Sequence, residues 1–182
     1  MTRVAHAGVG GWGKNVVRVI GELTELAWVV DTDEGRRAEY TARYPQAQVT
    51  GSFTDALADD TVDAVSIATP VPTHYALAKE ALEAGKHVFV EKPPAMKGEE
   101  MEELVELART NGLVLMPGHL LLYHPGLRKV KELVDAGGLG DVACVYGNRQ
   151  NLGVIRSNEH ALWSLGVHDL SVILWLLGEE PS

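Results

Sequence analysis

The sequence predicts an α/β fold: a Rossmann-type, doubly wound parallel sheet followed by the start of a second, incomplete α/β domain. From Arg3 to about Gly118, short β-branched runs alternate with longer helical patterns, which is typical of βαβ units. A glycine-rich turn, Gly8 to Gly13, follows the first run and precedes the first helical pattern. The alternation stops after Gly118, so we expect one domain over residues 1–118 and a second over 119–182.

The first domain is predicted to contain six strands with helices between them. The strands are expected at Arg3 to Ala7, Leu26 to Val30, Gln48 to Thr50 (a weaker pattern), Asp63 to Ala68, His87 to Val90 and Leu113 to Met116. The helices are expected at roughly Lys14 to Glu22, Glu34 to Tyr44, Thr73 to Glu83 and Gly98 to Thr110. Several of these helices end at glycines, which favour the left-handed backbone of a helix C-terminus.

The second domain is predicted to contain two helices and one strand. Apolar spacing predicts a helix from Leu127 to Val134 and a buried helix from Ala161 to Leu177, which is too short and too polar for a membrane span. Between them, Asp141 to Asn148 alternates like a half-buried strand. A lone strand makes no sheet, so we expect its edges to pair with another chain or with residues outside this sequence.

Composition argues against several classes of partner. The 182 residues carry a formal net charge of -9 and show no basic stripe, so we expect neither nucleic acid nor a membrane surface as a partner. Cys144 is the single cysteine and forms no internal disulfide. Met1 leads directly into the first strand without a signal-peptide pattern, so we expect a cytoplasmic protein.

The glycine turn is predicted to bind the pyrophosphate of a dinucleotide. Gly8 allows a tight turn, Gly10 lets the backbone approach phosphate, and Gly13 permits close packing of helix on strand. Backbone amides at the start of the following helix favour an anion. We therefore expect the whole turn, including Gly11 and Trp12, to hold the cofactor; the alternative is a structural glycine turn.

The end of the second strand predicts the cofactor's identity. Asp31 stands where a carboxylate accepts both adenosine ribose hydroxyls and repels a 2'-phosphate, which favours NAD over NADP. Asp33 is a second candidate for that contact. Arg36 and Arg37 weaken the preference if either pairs with a 2'-phosphate, and otherwise they are solvated helix charges.

Two further loops follow strands at the same edge. Thr69 and Pro70 are predicted to pass beneath the cofactor. The alternative is that Pro70 and Pro72 simply stop the strand and Thr73 caps the next helix. His74 is a candidate cofactor contact, with a surface or cap-neighbour position as the alternative. No metal is expected, because no histidine here shares metal-ligand spacing with cysteines or carboxylates.

Lys92 is the candidate catalytic residue. It follows the strand His87 to Val90, and burial beside a nicotinamide cation would lower its pKa enough for proton exchange with a substrate hydroxyl. Glu91 is expected to orient this lysine or to contact a cofactor ribose. The alternative for Lys92 is an ordinary surface lysine.

The second domain supplies the remaining site candidates. Ser164 and His168 lie one helical turn apart, and His168 is predicted to bind the substrate hydroxyl or share its proton, unless it is a core histidine. Arg149 and Arg156 flank a loop that would clamp a carboxylate or phosphate. Tyr123 is expected to line the substrate site or pack between domains.

These motifs together resemble the Gfo/Idh/MocA oxidoreductase family. The resemblance rests on the glycine turn, Asp31, the Ala68-Thr69-Pro70 segment, the stretch from Ala84 to Pro93, and His168-Asp169. It implies an N-terminal NAD(P)-binding domain, a C-terminal domain with an open sheet that often mediates oligomers, and catalysis by Lys92. Family members commonly pair this lysine with an aspartate and a histidine four residues later; here Ser164 takes the aspartate's position, and only His168 carries over.

Within the family, three segments resemble the nucleotide-sugar branch: Gly11 to Asn15, Gly118-His119 with Tyr123-His124-Pro125, and Asn151-Leu152-Gly153 through Trp163-Ser164-Leu165. That branch includes UDP-N-acetylglucosaminuronic acid 3-dehydrogenases. The resemblance implies a sugar or nucleotide-sugar substrate and hydride transfer between its carbinol, C3 of a hexuronate, and nicotinamide. Complete members are longer, so we expect this chain to be C-terminally truncated and a homo-oligomer to form if the rest of the sheet is supplied. The rival hypothesis is a cofactor-binding module or fragment without catalytic activity.

Overall fold

A computed structural model describes residues 1–150 and 161–179. Within these ranges the chain forms the predicted Rossmann-type fold, a six-stranded sheet in the order β3-β2-β1-β4-β5-β6 with every neighbouring pair parallel. The strands are β1 (Arg3–Ala7), β2 (Glu25–Val30), β3 (Gln48–Thr50), β4 (Ala64–Ile67), β5 (His87–Val90) and β6 (Leu115–Pro117). This order places the reversal of winding between β1 and β4, where such sheets hold their ligands.

Five α-helices connect the strands. They are α1 (Gly13–Leu23), α2 (Glu34–Arg43), α3 (Phe53–Leu57), α4 (His74–Glu83) and α5 (Gly98–Thr110). The sequence patterns predict four of them to within a few residues, whereas the short α3 was not predicted. Its start is explained by Ser52, whose hydroxyl accepts the backbone N–H of Asp55 at 3.3 Å.

Two clusters of buried apolar side chains support the sheet. One lies between the strands and helices α3, α4 and α5, and includes Ile67, Leu82 and Leu104. The other lies beneath α1 and α2 and includes Val17 and Tyr40. Helices on both faces leave the sheet edges as the places where polar groups reach solvent, which confirms the doubly wound arrangement.

The chain divides into two compact units, Met1–Gly118 and His119–Ser182. The second unit contains α6 (Pro125–Asp135), a π-helical turn (Leu162–Gly166) and α7 (Val167–Leu177), which ends at Gly178 in the left-handed conformation. Among the described residues, no helix has the length and apolarity required to cross a membrane.

Two predictions for the second unit are wrong. Residues 141–148 form no strand, and the alternating Val142, Cys144 and Tyr146 are all exposed. A strand requires a hydrogen-bonded neighbour, and no described strand of this unit lies beside the segment. Helix α7 is present as predicted but is not buried, since Leu170 and Leu174 are exposed.

Candidate functional site

The carboxyl edge of the sheet brings together the candidate cofactor residues of the first unit. The glycine turn follows β1, Asp31 follows β2, Thr69 and Pro70 follow β4, and Glu91 and Lys92 follow β5. Because all six strands are parallel, these ends lie on one edge. Ligands of doubly wound sheets bind outside this edge at the switch point, so the predicted residues lie at the edge where such sheets bind ligands.

One side of the glycine turn is packed against backbone. Gly8 has φ +91°, and a Cβ there would come within 2.7 Å of the Ala68 carbonyl group. A Cβ on Gly13 would lie 1.8 Å from the Gly8 carbonyl oxygen, which is closer than any real contact. The turn therefore requires glycine at both positions in order to bring α1 against β1 and β4.

The other side of the turn is open. A Cβ on Gly11 would meet nothing within 4 Å, and one on Gly10 would meet only the Arg36 guanidinium, at 3.6 Å. Helix α1 begins at Gly13, so its positive N-terminal end lies at the close of the turn. An open backbone cradle beside a helix N-terminus fits the pyrophosphate of a dinucleotide.

A buried histidine supports the turn from within the sheet. The His6 ring has no exposed surface, and its Nε2 lies 3.0 Å from the Gly8 carbonyl oxygen. That oxygen only accepts, so Nε2 carries the hydrogen and Nδ1 accepts from the Ser66 hydroxyl at 3.1 Å. Burial lowers the pKa of His6 to about 4, so the ring is neutral at physiological pH.

Asp31 is almost fully buried and ties the glycine turn to the second strand. Its Oδ2 accepts the backbone N–H of Val9 at 2.9 Å, and its Oδ1 accepts that of Asp33, also at 2.9 Å. The Arg36 guanidinium lies 3.4 Å from both oxygens. The carboxylate is thus held at the position predicted for ribose recognition, with a cation beside it.

The neighbouring charges have defined partners. Asp33 caps helix α2, because its Oδ1 accepts the backbone N–H of Arg36 at 2.8 Å. Arg37 donates to the carbonyl oxygens of Asp31 and Thr32, at 2.9 and 2.8 Å. Neither Arg36 nor Arg37 is a simple solvated helix charge, and only Arg36 lies against the Asp31 carboxylate.

The loop after β4 is braced by two hydroxyl groups. The Thr73 hydroxyl donates to the Pro70 carbonyl at 2.8 Å and lies 2.7 Å from the Thr69 hydroxyl. Thr73 makes no side-chain cap on α4, contrary to one of the alternatives from the sequence. His74 is 1% exposed, so the expectation of a surface position is wrong. Its ring contacts two backbone carbonyls rather than solvent.

Glu91 connects the lysine loop to the glycine turn. Its Oε1 accepts the indole N–H of the exposed Trp12 at 2.9 Å, and its Oε2 lies 3.3 Å from the backbone nitrogen of Lys92. A Cβ on Gly118 would meet the same carboxylate at 3.2 Å. Lys92 itself is half-buried. These contacts tie the start of the loop that carries Lys92 to the glycine turn.

Within the second unit, Arg149 has a bidentate partner. Its Nε and Nη2 donate to the Asp169 carboxylate at 2.8 to 3.1 Å, and these bonds raise the pKa of the guanidinium. Arg149 is therefore engaged with Asp169, next to His168, rather than open to a substrate anion. Ser164 lies in the π-helical turn and His168 in the first turn of α7, both half-buried.

Tyr123 is exposed in the second unit, with the Arg128 guanidinium 5.1 Å from the centre of its ring. His124 caps α6, because its Nδ1 accepts the backbone N–H of Gly126 at 3.2 Å. Arg156, the other predicted anion clamp, lies outside the described residues. Across residues 1–150 and 161–179, no group of three or more His, Cys, Asp or Glu side chains is placed to hold a metal ion.

Sequence reasoning missed His6, its partner Ser66, and the bond between Trp12 and Glu91. His6 does leave a signal, since it is the only polar residue between Val4 and the glycine turn. The bond between Trp12 and Glu91 leaves none, because the two residues are 79 positions apart.

Comparison with known proteins identifies the family. Residues 2–119 match the Gfo/Idh/MocA model, described as an oxidoreductase family with an NAD-binding Rossmann fold. The chain is 33% identical, over 98% of its length, to UDP-N-acetylglucosamine 3-dehydrogenase of Acidithiobacillus ferrooxidans. It is also 33% identical to inositol 2-dehydrogenase 3 of Saccharopolyspora erythraea, again over 98% of its length.

Solved structures have the same architecture. GenD2 from gentamicin A biosynthesis, crystallised in complex with NAD, superposes with a TM-score of 0.84 at 30% identity and over 97% of this chain. The match covers 54% of the GenD2 chain, 55% of the Acidithiobacillus enzyme and 54% of the Saccharopolyspora enzyme, so the chain spans about half the length of these relatives. The resemblance inferred from the motifs is confirmed: the chain belongs to the Gfo/Idh/MocA family of oxidoreductases, and its first unit is that family's NAD-binding Rossmann domain.

Proposed function

We propose that this chain carries the cofactor site and the catalytic lysine of an NAD-dependent sugar dehydrogenase. The observation that carries the proposal is the Glu91 carboxylate, which accepts from Trp12 in the glycine turn and lies beside the backbone of Lys92. A group that binds at the turn is thereby brought next to the lysine. Proximity of this kind is what a two-reactant transfer requires.

The residues present fit a nicotinamide dinucleotide. The open side of Gly10 and Gly11 and the start of α1 would hold the pyrophosphate, Asp31 would accept the adenosine ribose hydroxyls, and the Thr69–Pro70 loop would lie under the span between the two nucleosides. The buried Asp31 carboxylate favours NAD, although Arg36 beside it offers a partner for a 2'-phosphate. When bound, the cofactor supplies the group that accepts or donates hydride.

Lys92 performs the proton transfer in this proposal. As a substrate carbinol becomes a carbonyl, the neutral Lys92 amine takes the proton from the hydroxyl oxygen, and it returns that proton in the reverse reaction. His168 shares this acid–base work, and Ser164 and Tyr123 contact the substrate. Arg149 contributes through its pair with Asp169, beside His168.

We further propose C3 of a nucleotide-linked hexuronate as the site of oxidation. The name of the Acidithiobacillus relative, a UDP-N-acetylglucosamine 3-dehydrogenase, supports a nucleotide-linked sugar and the C3 position. The hexuronate is what the resemblance to the nucleotide-sugar branch of the family implies. Inositol 2-dehydrogenases among the relatives make a free cyclic polyol the main competing substrate class.

The decisive test compares Lys92→Ala with Lys97→Ala. Lys97 is exposed in the same segment, where its Nζ lies 3.6 Å from Glu100, so it controls for the loss of a positive charge. We expect Lys92→Ala to lower sugar-dependent NADH formation by at least about a hundredfold while NAD affinity is kept. Wild-type turnover in Lys92→Ala would disprove the role of this lysine.

The second candidate function is a cofactor-binding module without turnover of its own. The observation in its favour is that the chain spans about half the length of its relatives. Titrating NAD into the purified chain and assaying NADH formation across nucleotide sugars and inositols separates the two. NAD binding without turnover on every substrate would favour the module.

A further inference from the structure

His74 is a buried side chain that joins two loops at the carboxyl edge of the sheet. Its Nδ1 lies 2.8 Å from the Pro93 carbonyl oxygen and its Nε2 lies 2.8 Å from the Thr69 carbonyl oxygen. Pro93 belongs to the loop after β5 and Thr69 to the loop after β4, and these strands are neighbours. A single imidazole ring thus spans the lysine loop and the loop predicted to pass beneath the cofactor.

The ring has no role left for a ligand. It is 1% exposed, and each nitrogen is within hydrogen-bond distance of a backbone carbonyl. Carbonyl oxygens only accept; a neutral imidazole carries one N–H and an imidazolium two, so either form keeps at least one carbonyl bonded. His74 therefore acts on the loops and not on the cofactor, which revises the expectation that it binds the cofactor directly.

The lysine segment is held on both sides of Lys92. On the N-terminal side, the Glu91 backbone N–H donates to the Ile67 carbonyl at 2.8 Å, as part of the pairing of β5 with β4. On the C-terminal side, His74 contacts the Pro93 carbonyl. Fixing both flanks limits the positions open to the Lys92 amine, and a misplacement of about 1 Å at a reacting group costs on the order of a hundredfold in rate.

We propose that His74 is a positioning residue: it fixes the Lys92 loop and the Thr69 loop relative to each other, as proton and hydride transfer require. The proposal rests on the proposed function of Lys92. The two contacts have separable consequences: the contact with the Pro93 carbonyl positions the lysine and therefore sets the rate, and the contact with the Thr69 carbonyl positions the cofactor loop and therefore sets cofactor affinity.

Substitution of His74 by amide side chains tests its contacts with the Pro93 and Thr69 carbonyls one at a time. In His74→Asn the amide nitrogen takes the place of Nδ1, so it keeps a donor for Pro93 and loses the one for Thr69. In His74→Gln the amide nitrogen takes the place of Nε2, so this variant keeps a donor for Thr69 and loses the one for Pro93. His74→Leu removes both donors. His87→Asn and His87→Gln are matched controls, because His87 is an exposed histidine at the opposite end of β5.

Each variant has its own expected kinetic pattern. His74→Gln should lower kcat about tenfold with an unchanged Kd for NAD, and His74→Asn should weaken NAD about tenfold with kcat retained. His74→Leu should show both losses, and the His87 variants neither. Equal effects of His74→Asn and His74→Gln on kcat and on the Kd for NAD would overturn the proposal. A merely structural histidine would change both constants together and would not assign kcat to one contact and the Kd to the other.

A second readout is independent of turnover. Reductive methylation with 13C-formaldehyde labels the lysine amines for NMR, and the Lys92 signal is assigned by its loss in Lys92→Ala. We expect this signal to shift in His74→Gln and His74→Leu and to stay in place in His74→Asn. The Lys92 signal reports on the role of His74 even if the chain turns over no sugar. Absence of turnover would count against the proposed dehydrogenase function and not against the positioning role of His74.

Two results would reject the positioning role. One is a Lys92 signal that is unchanged in folded His74→Gln and His74→Leu, together with an NAD Kd that is unchanged in folded His74→Asn and His74→Leu. The other is loss of the folded state in both the Asn and the Gln variants, because His74 would then support the domain as a whole rather than the two loops. Circular dichroism and thermal melts of each variant decide this second point.

Discussion

Acid should destabilise the first unit through His6. The ring is buried beneath the glycine turn, and desolvation lowers its pKa from 6.5 to about 4, with the backbone hydrogen bonds and Asp31 opposing the shift. Protonating Nδ1 would also remove the acceptor for the Ser66 hydroxyl hydrogen. The folded state thus disfavours the charged ring, whereas the unfolded chain solvates it freely.

The size and direction of the effect follow from proton linkage. Because the folded pKa lies below the unfolded one, the unfolded state binds more protons as the pH falls below 6.5. The stabilisation from neutral His6 is complete above the unfolded pKa and is lost as the pH falls through about 4. The full difference is about 3 kcal/mol, of which about 2 kcal/mol should be lost between about pH 7.5 and about pH 5.

Urea unfolding at these two pH values measures the effect. His6→Gln has no titrating ring but keeps an amide donor for the Gly8 carbonyl, so its free energy of unfolding should fall less with acid, by about 2 kcal/mol. Other titrating groups are common to both proteins and cancel in the comparison. Identical pH dependence in wild type and His6→Gln would refute the reasoning.

Three further predictions concern the cofactor edge. Gly13→Ala should lower the free energy of unfolding by at least about 2 kcal/mol, because its Cβ would collide with the backbone of Gly8. Gly11→Ala, whose Cβ would enter open space, should change it by less than about 0.5 kcal/mol. Urea unfolding of both variants measures the difference. Trp12→Phe removes the indole donor but keeps an aromatic ring, so NAD should bind about fivefold more weakly by fluorescence titration, and an unchanged Kd would argue against a role for that bond. Asp31→Asn should raise the affinity for NADP relative to NAD about tenfold. Asp33→Asn, whose amide oxygen still caps α2, should leave that ratio unchanged. The reverse result in paired titrations would assign ribose recognition to Asp33.

The Rossmann unit was predictable because its signals are local. Alternating strand and helix patterns, the glycine turn and the glycine helix stops each depend on residues near one another in the chain. The parallel sheet follows from the alternation, and the carboxyl edge then collects Asp31, Thr69 and Lys92 without any knowledge of side-chain contacts. The failed strand at 141–148 marks the limit of this reasoning, since alternation describes a face but supplies no partner strand.

Side-chain roles at the site were predicted less well. His74 was expected on the cofactor, at the surface or beside a helix cap; it does follow the N-cap residue Thr73, but it is buried between two carbonyls. Arg149 was expected to clamp an anion, yet it pairs with Asp169. In each case one partner lies far along the chain: Pro93 is 19 positions from His74, and Asp169 is 20 positions from Arg149. Such pairings depend on how elements pack, which periodicity does not encode.

By itself, the sequence determined the class of sheet, the dinucleotide turn, the family, and Lys92 as the residue to test. The tertiary structure decided which groups contact the segment that carries that lysine: the carboxylate of Glu91, bonded to Trp12, on one side, and the ring of His74, at the Pro93 carbonyl, on the other. The physical reason is that local backbone preferences select strands, helices and turns, whereas hydrogen bonds between distant side chains and carbonyls exist only after the strands have been placed side by side.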